Sequence, residues 1–276
     1  MTNSNAIQSG YLPVNGLEMY YESHGLVAHG PVAHGQGGAP LVLLHGAFSA
    51  SGTSFGLVLP GLAEGRRVIA FDLQAHGRTA DIDRPMSPEA MADDVAAALG
   101  ALGIEQADVG GYSMGGAVAL RVAIRHPEVV RKLVLISVTY SFDGLHPGLM
   151  DGIGEMRPEM LHGTPWHDEY LRVAPRPEDF NRLFAKKAEM DKGIRDIPAE
   201  AIRALTCPVL IIAGDSDILR PEHAVEMFRL VGGGRMGDSP EGLPDSQLAI
   251  LPGTSHVSIV YRPELLLPII PPFLDK

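Results

Sequence analysis

The run Gly110-Gly111-Tyr112-Ser113-Met114-Gly115-Gly116 leaves the chain little choice of local path. Ala107-Asp108-Val109 just upstream reads as the end of a strand, and downstream Ala, Val, Leu and Ile recur at helical spacing as far as Pro127. Ser113 therefore stands on a sharp turn from strand into helix. Glycine at 111 and 115 removes side chains that would collide in so tight a turn, and the serine itself must take a strained backbone conformation. Its Oγ is then exposed at a helix N-terminus, where the next residue's free N–H and the helix dipole favour negative charge. In a chain with 32 glycines the pentapeptide says little alone, so its setting carries the inference.

The flanking segments predict an α/β fold. Tyr11 to Ser23 alternates around Asn15-Gly16, a hairpin signal, so two antiparallel strands open the chain. Val27 to Gly38 is Gly-rich and reads as a surface loop; His29 and His34 have no carboxylate or cysteine at ligand spacing there. Leu41 to Leu44 is a continuous apolar run of the kind buried in a parallel sheet, and it leads into His45-Gly46-Ala47-Phe48. His45 is expected to shape that loop so that the Ala47 N–H points at the neighbouring serine. Ser51 to Leu62 reads as a helix, Val68 to Phe71 as a strand, and Asp72 to Thr79 as its loop. Pro88 opens a helix with Met91, Val95, Ala98, Leu99 and Leu102 on one face. This β-β-β-α-β-α-β-α order implies a mostly parallel central sheet of about eight strands, with right-handed crossovers and helices on both faces.

Lys132 to Ser137 is the next strand, and then the pattern changes. From 140 to 198 there is no strand signal, and Met150, Met156, Met160, Met190, Phe142, Trp166, Phe180 and Phe184 stand among charges and prolines. We read this stretch as a helical insertion over the sheet edge, within a core domain made of 1–139 and 199–276. Most of its apolar side chains would form its own core, and Trp166 and the methionines would suit an adaptable apolar lid above Ser113. Pro208 to Ala213 resumes the sheet, Pro221 to Leu230 is a helix, and Gln247 to Leu251 is the last strand, with Pro252 to His256 as its loop. Prolines at 268, 271 and 272 limit the closing segment to a turn or two of helix.

Composition excludes several roles. The net charge of −11, with no basic cluster, argues against nucleic acid and anionic membranes as partners. No run approaches the ~18 apolar residues of a membrane span, and Met1 to Gly10 lacks a signal-peptide core. A cytoplasmic protein is expected. The single cysteine, Cys207, sits before Pro208 at the head of an apolar strand and reads as a structural thiol.

A serine hydroxyl needs a base within hydrogen-bond reach, itself oriented by a third group. Such groups belong in loops at the carboxyl ends of strands. Of eleven histidines, His126 ends a helix, His223 lies inside one, and His146, His162 and His167 fall in the insertion. His256 follows the last strand between small residues and the closing segment, so it is the candidate base. Asp215 and Asp217 both follow the penultimate strand; Asp217 is preferred because Asp215, next to Gly214, is better placed to hold the turn, and Asp143 is a more distant candidate.

On these residues the sequence resembles the α/β-hydrolase superfamily over nearly its whole length. The resemblance is carried by His45-Gly46, by Asp72 with His76-Gly77-Arg78, and by Gly111-x-Ser113-x-Gly115. It continues through Arg125-His126-Pro127-Glu128, Gly214-Asp215-x-Asp217 and Gly253-x-Ser255-His256, in the family's chain order Ser, Asp, His. It implies Ser113 as nucleophile, Asp217 as acid, His256 as base, the Ala47 and Met114 N–H groups as oxyanion hole, and the insertion as a helical cap. It implies no cofactor and no metal, and the sequence has no H-E-x-x-H. Ala75 departs from the family's frequent glycine, and the stretches from Val27 to Gly38 and from Gly232 to Pro244 exceed its usual loops. A serine in the tight turn fits acyl transfer, whereas the family's haloalkane dehalogenases and epoxide hydrolases place aspartate there. The apolar lid and the absence of a basic cluster lead to the expectation of a carboxylesterase acting on a neutral, moderately hydrophobic small-molecule ester. Lactonase, C–C bond hydrolase and perhydrolase activities would use the same three residues, and a non-catalytic ligand-binding homologue is the reading from another class. Oligomeric state is not legible in the sequence.

Overall fold

The structure is a computed structural model that describes residues 7–25 and 38–276. All of the loop expected over Val27 to Gly38 except Gly38, and with it His29 and His34, lies outside the described residues. The first hairpin pairs β1 (Gln8–Val14) with β2 (Leu17–Gly25), and Asn15 and Gly16 turn it with φ of 48° and 84°. Next come β3 (Leu41–Leu44), α1 (Ser51–Phe55), α2 (Leu59–Leu62), β4 (Arg67–Phe71), α3 (Pro88–Ala101), β5 (Ala107–Tyr112) and α4 (Met114–Arg125). After β6 (Val130–Ile136) lie four helices, α5 (Leu149–Gly154), α6 (Pro165–Val173), α7 (Phe180–Gly193) and α8 (Ala199–Arg203). The chain closes with β7 (Val209–Ser216), α9 (Pro221–Leu230), β8 (Gln247–Ser255), α10 (Pro263–Leu266) and α11 (Ile270–Leu274).

The eight strands form one sheet in the order β1-β2-β4-β3-β5-β6-β7-β8. The β1/β2 and β2/β4 pairs are antiparallel and every later pair is parallel. Side chains alternate across it, as the period of a strand requires. Val42 and Leu44 of β3 face one core with Val95 of α3 and Val118 of α4, while Leu41 and Leu43 face the other with Phe55, Leu62 and Phe273. The sheet is thus covered on both sides, which is why its central strands read as unbroken apolar runs.

Three segments differ from the sequence expectation. Ser51 to Leu62 is two short helices because Gly56 ends the first and Pro60, which has no N–H to donate, stands in the first turn of the second. Strand β8 continues through Pro252 to Ser255, so these residues are strand and not loop, and a register shift against β7 lies between Gly214 and Ser216. Trp166 does not line the cavity above Ser113 and Met160 is exposed to solvent, while Met150 and Met190 do line it.

The helices between β6 and β7 are tied to the rest of the chain at several places. Glu169 of α6 accepts the Thr53 N–H of α1 at 2.8 Å. Lys186 of α7 donates to Asp81 Oδ1, Ile82 O and Arg84 O at 2.7 to 2.9 Å, and Arg182 pairs with Asp81. Phe184 stacks on Phe48 with ring centroids 5.3 Å apart. Cys207 is half-buried just before β7, and burial pushes its thiol up to about 11. Among the described residues no helix is long and apolar enough to cross a membrane.

Candidate active site

Ser113 has φ 53° and ψ −118°, the strained conformation that the flanking glycines predict. A Cβ on Gly111 would lie 2.2 Å from the Gly115 carbonyl oxygen, and one on Gly115 would lie 2.0 Å from that of Leu44, so neither position admits a side chain. The turn projects Ser113 Oγ to 3.0 Å from His256 Nε2. His256 Nδ1 lies 2.9 Å from Asp217 Oδ1. Residues 39 and 143 positions apart thus form one chain of hydrogen bonds at the carboxyl ends of β5, β7 and β8.

Asp217 is buried, and burial alone would raise its carboxyl. Bonds from His256, from Ser137 Oγ at 2.5 Å and from the Gly214 N–H outweigh that and hold it below the ordinary carboxylate range. The Ile218 N–H adds a fourth donor at 2.8 Å. Asp215 does not reach His256. It sits inside β7 and accepts the Gly253 and Thr254 N–H groups, bridging the strands where their register shifts. Asp143 is also apart, with its carbonyl held by Arg220.

The loop after β3 is held from two sides. His45 is fully buried; its Nε2 accepts the Leu73 N–H at 3.0 Å, which leaves the proton on Nδ1 to donate to Gly46 O. Burial lowers its pKa despite nearby Asp72, so the ring is neutral. Asp72 accepts the Ser51 N–H and hydroxyl and the Arg78 N–H. His45 and Asp72 together bind the loops after β3 and β4 into one unit. Ala47 and Met114 both line the cavity onto which Ser113 opens, and among the described residues neither N–H has a protein acceptor.

Two neighbours of the site carried no signal in the sequence. Tyr112, a variable position of the tight-turn motif, donates from its hydroxyl to His256 O at 2.9 Å and tilts its ring against the imidazole, 5.2 Å between centroids. Burial pushes its phenol above the ordinary range, so it stays a donor. Ser137, with φ 56°, leaves the end of β6 to reach Asp217.

The cavity beside Ser113 has a volume of about 170 Å³. Its floor is Ala47, Ser113, Met114 and Ala117, and its far walls come from the segment after β6, including Val138, Met150, Met190 and Ile197. Such a cleft, apolar with a few convergent polar groups, has the form of a small-molecule site.

The alpha/beta hydrolase fold family matches residues 39–193. The chain is 31% identical over 214 residues to the 2-hydroxymuconate semialdehyde hydrolase of Pseudomonas sp. (strain CF600), covering 67% of this chain and 72% of that one. It is 27% identical over 255 residues to the serine hydrolase BPHL of Mus musculus, covering 87% and 81%. Among solved structures, the 2-hydroxy-6-oxo-6-phenylhexa-2,4-dienoate hydrolase from Rhodococcus sp. strain RHA1 superposes with a TM-score of 0.75 over 99% of this chain and 100% of that one. At 21% identity, that likeness is one of fold. Sheet order, strained serine turn and family match agree: the chain belongs to the alpha/beta hydrolase fold family, and the two relatives compared above are hydrolases.

Proposed function

We propose that the protein is a serine hydrolase of carboxylic esters of small to medium size, working through an acyl-enzyme on Ser113. His256 Nε2 takes the Ser113 proton as Oγ attacks the ester carbonyl, and Asp217 fixes the tautomer and stabilises the imidazolium. The Ala47 and Met114 N–H groups receive the oxyanion, each donor typically worth ~3 kcal/mol in the transition state. His256 then protonates the leaving alcohol and activates the water that releases the acid. The segment 140–198 serves as the cap that closes over the acyl group. The observation that supports this reading is the unbroken relay from Ser113 Oγ through His256 to Asp217, at 3.0 and 2.9 Å.

The test is Ser113→Ala. Turnover of the best ester should fall by at least ~10³-fold with the fold intact, and labelling by a fluorophosphonate should cease. Undiminished turnover in the purified variant would refute the nucleophile. A series of 4-nitrophenyl esters run beside a lactone and a vinylogous diketone distinguishes ester cleavage from lactonase and C–C bond hydrolase activity, which need the same three residues.

A further inference from the structure

Arg121 lies on α4, two helical turns beyond Ser113, and it lines the same cavity although only 7% exposed. A guanidinium has five N–H donors in a planar fork. The protein uses two of them: Nε bonds Glu89, and Nη1 donates to the Ala117 carbonyl at 3.1 Å. Among the described residues Nη2 has no protein acceptor. Glu89 pairs with Nε from outside the cavity wall and is half-exposed, so it offsets part of the arginine's charge but leaves the Nη2 donors free on the cavity side.

The other charged groups of the wall are already engaged. Lys187 Nζ lies 2.6 Å from both Asp191 oxygens, a closed pair. Asp196 accepts the Ser141 hydroxyl and the Phe142 N–H, and Arg195 donates to the Lys192 and Ile194 carbonyls. Both Arg195 and Asp196 are exposed, where water screens them. Arg121 alone combines burial with unspent donors.

We propose that Arg121 is an anion subsite and that the substrate is an ester whose acyl half carries a free carboxylate. The inference rests on the Ser113 acyl-enzyme reading above. Its geometry fixes a length. Ala117 donates its N–H to Ser113 O, and the guanidinium rests on the Ala117 carbonyl, so it stands beside the first helical turn, roughly 6 Å along the axis from Ser113. An offset on that scale suits an acyl chain with about four carbon–carbon bonds, roughly 5 Å, between the reacting carbonyl and the carboxylate. That is the half-ester of a five-carbon diacid. A cavity of about 170 Å³ has room for such an acyl group, since one of ~150 Å³ takes benzene.

The test compares monomethyl glutarate with methyl 5-methylhexanoate, which has the same shape without the charge. The wild-type protein should favour the anionic ester by at least ~10-fold in kcat/KM, and Arg121→Met should bring that ratio to about one or below, mainly through KM for the anion. Calorimetric titration with glutarate, a product mimic, reads the subsite without turnover: binding at least ~10-fold tighter than that of glutaramide is expected in the wild type, and its loss in Arg121→Met. Should that variant not fold, the two wild-type comparisons still decide. Equal handling of charged and neutral compounds by the wild type, or a preference that survives Arg121→Met, overturns the proposal. Ser113→Ala separates the two claims: ester hydrolysis that survives it sinks the nucleophile, whereas Ser113-dependent hydrolysis with no charge preference sinks only the subsite.

Discussion

Tyr112 touches three of the four loops that meet around Ser113. It precedes Ser113, its hydroxyl binds the His256 carbonyl, and its ring lies so close to Gly46 that a Cβ there would approach it to 2.8 Å. A ring so placed holds the imidazole and the loop after β3 at fixed distances from Oγ, which is what preorganised chemistry requires. Tyr112→Phe keeps the ring and removes one bond. Its expected effect is a fall in kcat of about 10-fold with KM within about twofold, and a stability loss near 1 kcal/mol. Steady-state kinetics beside thermal unfolding would measure both, and an unchanged kcat would show that the hydroxyl merely packs. Ala75 matters less to the chemistry: with φ 65° it adopts a conformation glycine takes more readily, yet its methyl is buried in the core.

At the scale of elements, α7 is the most consequential piece outside the sheet. It supplies Lys187, Met190 and Asp191 to the cavity wall, and Lys186 on the same helix grips three acceptors in the 81–84 loop. Lys186→Met should free that grip, raising KM for the ester about 5-fold while kcat changes less than twofold, and lowering stability by roughly 1 to 3 kcal/mol. Equal KM in wild type and variant would mean that α7 is held by its apolar contacts alone. The contrast with what the sequence discloses is instructive. Strands β3, β4, β6 and β7 announce themselves by apolar runs, and Ser113 and His256 stand out because strand ends flanked by small residues are uncommon. Asp217 was one of two aspartates two residues apart. The structure distinguishes them because β7 runs on to Ser216, engaging Asp215 with β8 before the chain turns Asp217 toward His256. The roles of Ser137 and Arg121 were invisible because their contacts join loops or helices 80 and 32 residues apart, and no local pattern encodes such meetings.

At the scale of the whole molecule, three histidines among the described residues are biased toward the neutral form by folding. His45, His76 and His223 are buried, and burial lowers the pKa of each, in His76 to about 3. In the unfolded chain a histidine takes up its proton near ~6.5. Below that pH the unfolded state binds more protons than the folded one, so stability falls as pH falls, by up to roughly 1.4 kcal/mol per pH unit for each such ring. Asp108 and Glu169, whose carboxyls burial raises, act in the opposite direction at lower pH, and Asp217, held low, reinforces the loss below about pH 4. Thermal unfolding should therefore show Tm declining already between pH 6.5 and 5; a level Tm across that interval would mean the buried rings do not govern acid stability.

The groups proposed to react hang from strand termini, whereas most of the chamber beside them is furnished by chain that leaves the sheet after β6 and returns at β7. Substitutions in that excursion can redraw what is admitted while the machinery underneath stays as it was. A lineage carrying this architecture could change diet one side chain at a time, without passing through an inert ancestor.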